Sequence, residues 1–505
     1  MKIKLTDYLL ETCEKYKDNV AVTEGEKKIT FGELLHAVKQ VAGGIFNMTP
    51  QARMVAVFIP KSIELVVSDL AITYMGATFV NIDVNLPEKR LNAILNNVVP
   101  DIIITLENNV EKIKGLGYEG VSVAQLMKNE ESLYQNVWRD FIDTDPFCII
   151  NTSVSTGTPK EVVLNHRSFI DFCEWSVETF DFSHRTVMGS LSPAVFDIFI
   201  FELCMLCYKG AQIVILDAKL AILPSKLLEQ LKDKNVNFIF WVPTVMVNIA
   251  NADLLSKIQL DKLSLIWFAG EVFPTKQFNY WCSKLPDTKF VNMYGPIEIT
   301  LDCTYYIVDR VYRDDEPLPI GKACRNTDIL ILNEKDEECG IDEDGELCVR
   351  GTSLAMGYYN DPEKTALAFA QNPLNPKYPE IIYRTGDIVS KSANGLIYIK
   401  GRKDHIVKHR GYRIDLLEIE HILINKMHAV KNCCAVYDYA DKRILLFYEG
   451  EKLPEEVFKI RREMADFVPN YMVPGKWYGM KHLPMNTNGK IDRQWLTNHI
   501  EDWSR

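Results

Sequence analysis

The chain has 505 residues, 47% of them hydrophobic and 25% charged, with a formal net charge of −11, which at roughly 100–200 residues per domain is too much chain for one core and predicts several domains. A protein that tracks nucleic-acid phosphates needs a concentrated basic face, so the acidic balance argues against nucleic-acid binding. The first twenty residues mix acids with lysines, and the longest apolar run, 191–208, is broken by Asp197 and Glu202, so neither an export signal nor membrane insertion is expected and a cytoplasmic protein is predicted.

In chain order, "MVAVFI" at 54–59 reads as a strand, 62–74 as a helix and "ATFVNI" at 77–82 as a second strand. The stretch "NTSVSTGTPKEVVLNH" (151–166) gathers Thr152, Ser153, Ser155, Thr156 and Thr158 around Gly157, with Lys160 following. Hydroxyls, backbone N–H groups and an ammonium there can converge on an anion, yet Val154 and Glu161 stand where such a loop favours glycine.

The run 191–208 reads as an interior helix, and its CxxC, Cys204 and Cys207, as buried thiols, since no second CxxC or histidine is near. The twelve cysteines lack the spacing of a disulfide framework and predict reduced thiols. Further β-rich runs at 211–216, 237–242, 263–270 and 289–295 are separated by helix-length segments such as 224–234. This alternation predicts parallel sheets flanked by helices, with ligands at the strand ends.

From about 317 the rhythm changes to short strands, "DILILN", "GELCVRG" and "GLIYIKGR", predicting a small β-rich subdomain. After "GRKD" (401–404) a helix-and-strand module follows, ending in the turn-rich "PMNTNGKIDR". Residues 405–505 carry 16 Lys and Arg against 14 Asp and Glu, a net of +2, while residues 1–404 carry −13. Charge and rhythm together place a boundary near 400.

Six motifs in series, "TSVSTGTPK", "NMYGPIE", "GELCVRG", "YRTGD", "GRKDHIVKHRGYRIDLLEIE" and "NGKIDR", resemble in order and spacing those of adenylate-forming enzymes, in particular free-standing amino-acid adenylation enzymes that load carrier proteins and the adenylation domains of nonribosomal peptide synthetases. The resemblance covers essentially the whole chain and is close in length and layout to D-alanine:carrier protein ligases. It implies an α/β fold: a large N-terminal domain (1–400) of two parallel-type sheets with flanking helices and the β-rich subdomain, a hinge at 401–404, and a small mobile α+β C-terminal domain (405–505). It also implies ATP and Mg2+, a two-step reaction through an acyl adenylate, and transfer to a phosphopantetheine thiol on a carrier protein in trans.

Residue by residue, the resemblance makes Lys490, Thr156 and Lys160 catalytic, with Thr152, Ser153 and Gly157 cradling phosphate. Tyr294 would stack on adenine, with Asn292, Gly295 and the Gly270–Glu271 backbone around it. Asp387 would accept both ribose hydroxyls, as an ionised carboxylate can, Arg402 would add positive charge near them, and Glu298 would ligate Mg2+. Asp404 is the expected pivot of the small domain, whose Lys408, Arg410 and Arg413 suit an acidic carrier.

Asp197 decides the substrate class, because a carboxylate in an apolar run needs a cationic partner and a substrate α-ammonium is one. The implied side-chain walls are Ile198, Phe201, Trp267, Ala269, Met293, Leu301 and Asp302. Their bulk favours a small amino acid. Ala269 and Asp302 depart from the D-alanine ligases, so D-alanine and a small polar or cationic side chain both stand as candidates. An acyl- or aryl-CoA ligase is the alternative, as is a weakly active relative in which Val154, Glu161 and Ile297 impair the grip on triphosphate. Val154 would be strained if its φ were positive, whereas an extended Val154 with Glu161 paired outward to a lysine or Arg167 would leave the cradle whole.

Overall fold

The computed structural model describes residues 4–128, 142–152, 160–217, 219–220, 223–403, 405–450, 454–485 and 491–503. Its residues fall into two compact units, the first made of Met1–Val84, Val98–Ile150 and Glu161–Lys403, the second of Asn85–Asn97, Asn151–Lys160 and Asp404–Arg505.

The predicted alternation of strands and helices becomes two large sheets in the first unit. In the nine-stranded sheet the strands Phe238–Trp241, Leu265–Phe268 and Lys289–Tyr294 run parallel, with Trp267 opposite Val291 and Phe240. Antiparallel strands Lys27–Thr30 and Thr304–Ile307 lie towards its edges, so the sheet is mixed. All four residues of Phe238–Trp241 are buried, the pattern of a strand covered on both faces.

The seven-stranded sheet pairs Met54–Phe58 in parallel with Thr78–Asn81 and Ile102–Thr105. Its antiparallel edge joins Gly357–Tyr358 to Lys160–Asn165. The β-rich subdomain is a five-stranded antiparallel sheet built on Asp344–Gly351 and Ile381–Lys391.

The helix Asp197–Lys209 is buried from Phe199 to Cys207 without a break, which explains its uniform apolarity: it is a core helix rather than a surface one. It stops at Gly210 in the left-handed region (φ 71°), where a side chain would also strike the Tyr16 ring. Cys204 and Cys207 are buried free thiols, as expected.

In the second unit Cys433–Asp438 and Arg443–Glu449 pair antiparallel and Lys476–Met480 adds in parallel. The helices Leu416–His421 and Pro454–Met464 belong to the same unit, as does the ion pair of Arg90 with Glu418 at 2.7 Å. Among the described residues no helix is long and apolar enough to cross a membrane.

Candidate active site

The parallel strands Leu265–Phe268 and Lys289–Tyr294 end side by side, and the segments that follow them carry Ala269, Gly270, Glu271, Gly295 and Glu298. Ligands of open α/β sheets gather at such carboxyl ends. Tyr294, the last residue of its strand and 6% exposed, donates its phenol hydrogen to Asp387 Oδ2. Burial first, then the Asp387 charge, holds this phenol well above the usual tyrosine range, so it stays a donor.

Asp387 is also buried, and Arg402 pairs with its other oxygen while donating from Nη2 to the Thr385 carbonyl at 3.0 Å. The Thr385 hydroxyl accepts from the Asp387 amide at 3.0 Å. A carboxylate oriented by two directed donors keeps further lone pairs that can accept hydroxyl hydrogens. Asn292, by contrast, spends side-chain N–H on the Pro319 carbonyl at 2.8 Å, and Glu271 Oε2 accepts from the Thr244 amide at 3.0 Å.

After Tyr294 the chain doubles back sharply. The Cys303 amide returns to the Tyr294 carbonyl at 2.8 Å, and a Cβ on Gly295 would sit 2.2 Å from the Leu301 carbonyl oxygen. Gly295 therefore has a packing reason to be glycine, and the close approach is accompanied by positive φ at Thr300 (51°) and Leu301 (70°). The turn buries Glu298 completely, with Tyr358 donating to its Oε1 at 2.9 Å. A carboxylate oriented by a phenol fits Mg2+, a hard cation that takes one or two carboxylates and completes its shell with phosphate and water.

Asp197 opens the core helix, and its Oδ1 accepts from the Ile198 amide at 3.0 Å. It lies in the first turn; the N-cap is Phe196, which makes no side-chain cap bond. One turn on, Phe201 stacks on Trp267 with ring centroids 5.3 Å apart and planes 22° apart. Both are fully buried, and Phe172, Phe180, Phe182, Phe238 and Phe240 stand edge-on to the Trp267 indole. Ala269, Met293, Leu301 and Asp302 are buried and Ile198 is half-buried. This stack joins the helix that carries Asp197 to the sheet that carries Tyr294.

Around the phosphate loop, Thr152 ends the strand Pro146–Thr152 and Lys160 begins the strand Lys160–Asn165. Ser153, Val154, Thr156 and Gly157 lie outside the described residues, as do Lys490 and Asp404. Glu161 is 1% exposed and follows Lys160 in the strand, where neighbours face opposite ways. It does not pair with Arg167, which forks instead onto Asp143 at 2.7 and 2.8 Å. Ile297 is half-buried and packs on the core.

Sequence reasoning missed three residues that orient the site: Tyr358 on Glu298, Thr244 on Glu271, and Thr385 under Asp387. Only Thr385 had a local signal, a hydroxyl two residues before the amide it bonds. The other two depend on contacts over 60 and 27 residues.

Comparison with known proteins identifies the family of the chain. The profile of the family described as AMP-binding enzyme matches residues 9–359. Tyrocidine synthase 1 of Brevibacillus parabrevis is 29% identical over 96% of the chain, which spans 44% of that protein's length. The D-alanine--D-alanyl carrier protein ligase of Bacillus licheniformis is 28% identical, covering 97% of this chain and 99% of its own. Among solved structures, the Vibrio cholerae adenylation domain AlmE in complex with glycyl-adenosine-5'-phosphate superposes with a TM-score of 0.85 over 99% of this chain and 98% of its own, at 20% identity, a likeness of fold. With the family profile spanning more than half its length, the chain belongs to the AMP-binding enzyme family of adenylate-forming enzymes.

Proposed function

We propose that the protein activates a small amino acid with ATP as the aminoacyl adenylate and passes the acyl group to the phosphopantetheine thiol of a separate carrier protein. The observation that carries this reading is the position of Asp197, a carboxylate in the first turn of a core helix, one turn from the stacked Phe201 and Trp267. A carboxylate at such a place suits an α-ammonium, which a fatty or aryl acid lacks. Rings stacked at 5.3 Å leave no gap between them for a side chain, which makes glycine and alanine of either hand the first substrates to test.

Asp387 would take the ribose hydroxyls, with Arg402 beside it, and the Tyr294 ring would face the adenine. Mg2+, held by Glu298, would neutralise phosphate charge. Lys490 would stabilise the negative charge that develops as the substrate carboxylate attacks the α-phosphorus and pyrophosphate leaves. Support for the carrier step comes from the likeness to a carrier protein ligase over nearly the full length of both chains.

ATP–pyrophosphate exchange with a panel of D- and L-amino acids, glycine and their N-acetyl derivatives tests the reading. Exchange with a small free amino acid and none with its N-acetyl form is expected. A best substrate without a free amine refutes it.

A further inference from the structure

The bend between the strand Val187–Ser190 and the helix Asp197–Lys209 delivers Asp197, and side chains from other elements grip it. Lys61, in the turn after the strand Met54–Phe58, donates from Nζ to the Ser192 carbonyl at 2.6 Å, and its ammonium stands 5.2 Å from the Phe199 ring centroid. Asn81, 5% exposed at the end of the strand Thr78–Asn81, donates from Nδ2 to the Ala194 carbonyl at 3.2 Å and to Asp69 Oδ2 at 2.9 Å. The Ser190 hydroxyl donates to Glu202, inside the helix that Asp197 begins.

Among the described residues, the backbone of this bend is joined by the Phe196 N–H to the Pro193 carbonyl at 3.2 Å, and Phe196 gives the helix no side-chain cap. The external grip is made of groups that are costly to bury. Burial holds the Asp69 carboxyl well above the carboxylate range against the Asn81 bond, and pushes Lys61 down to about 8 and Glu202 up to about 7, each opposed by the other's charge. Asp69 Oδ1 and Asn81 Oδ1 are buried without a hydrogen-bond partner among the described residues. Apolar side chains would fill this space at lower cost, so the polar set calls for a role other than packing.

We infer that Lys61 and Asn81 are positioning residues for amine recognition: by fixing the Ser192 and Ala194 carbonyls they hold the bend, and with it the Asp197 carboxylate, where the substrate α-ammonium binds. The inference rests on the amino-acid reading proposed above. It separates binding of the amino acid from binding of ATP, because nothing in the grip touches Asp387, Tyr294 or Arg402.

The test compares the full-length protein with Asn81→Leu, Lys61→Met and Lys61→Arg, using the amino acid that gives the fastest exchange. Asn81→Leu and Lys61→Met are expected to raise its KM about tenfold while the ATP KM stays within about threefold, and Lys61→Arg, which keeps a cationic donor, to recover most of the loss. Hydrogen–deuterium exchange of residues 191–200 in the free protein is expected to accelerate in the first two variants only. Should Asn81→Leu fail to fold, Asn81→Ser carries the same test. Unchanged protection of the bend, or a parallel rise in both KM values, overturns the positioning role. A wild-type protein that exchanges with no amino acid overturns the amino-acid reading instead, and the protection measurement still decides whether the bend is anchored.

Discussion

Tyr294 donates its phenol hydrogen to Asp387, so the ring proposed to face adenine and the carboxylate proposed to receive the ribose are bonded to each other. The ribose hydroxyls would share that carboxylate with the phenol. Tyr294→Phe keeps the ring and removes the competitor, and is expected to lower the ATP KM, whereas Tyr294→Ala raises it. Asp387→Ala removes the acceptor that Tyr294 and Arg402 share and is expected to raise the ATP KM by at least about tenfold, or ~1.4 kcal/mol. Steady-state exchange kinetics at saturating amino acid check all three.

The Phe201–Trp267 stack sets the size limit of the proposed substrate pocket. Trp267→Ala removes a fully buried indole from a cluster of rings and is expected to cost about 3–5 kcal/mol of stability. The space it leaves should admit leucine or phenylalanine at the expense of glycine and alanine. Denaturant unfolding and the exchange panel measure the two effects separately, and a stable variant with unaltered preference would take Trp267 out of the pocket wall.

Lys490→Ala is expected to slow adenylation by about 100-fold or more, since it removes a charge aimed at the transition state. Transfer from supplied aminoacyl adenylate to the carrier thiol should lose far less, because the proposed rotation of the small domain takes this lysine out of the site. Equal losses in both half-reactions would count against the rotation.

His409 couples stability to pH. It is 5% exposed and lies 3.1 Å from the Tyr437 hydroxyl, and burial, aided by Arg410, pushes its pKa down to about 4. Its neutral form is favoured by folding, so the contribution is complete above the unfolded value near 6.5 and is lost as pH falls towards 4. At pH 5 the loss is about 2 kcal/mol. His409→Phe keeps a ring against Tyr437 and should reduce the fall in Tm between pH 7 and pH 5, as thermal unfolding at the two pH values would show. A residual fall is expected from His166, which burial pushes down to about 3.

The large parallel strands were legible because apolar β-branched runs between helix-length segments admit few other arrangements, and "NFIFWV" and "LSLIWFAG" became neighbours in one sheet. Tyr294, Asp387 and Arg402 were named as nucleotide contacts through motif resemblance alone, and the structure joins the three to one another across 93 and 15 residues. Glu161, which stands where the loop favours glycine and for which an outward pairing with a lysine or Arg167 was one expectation, is buried in a strand that begins one residue before it, and Arg167 pairs with Asp143 instead. The side chains that hold the bend before Asp197 were out of reach for another reason. Lys61 and Asn81 meet the bend over 131 and 113 residues, and a lysine before a helix or an asparagine ending a strand carries no sign of a distant carbonyl.

The crossing at Gly295 has a consequence for anyone who would retune this protein. Met293, Leu301 and Asp302 sit on two arms clamped together where the Gly295 Cα meets the Leu301 carbonyl, so these positions share one backbone geometry. Point-by-point exchange of such residues perturbs every neighbour on the clamp. Transplanting the whole stretch 293–302 as one cassette, glycine included, is expected to keep that close approach intact while exchanging the proposed pocket residues together.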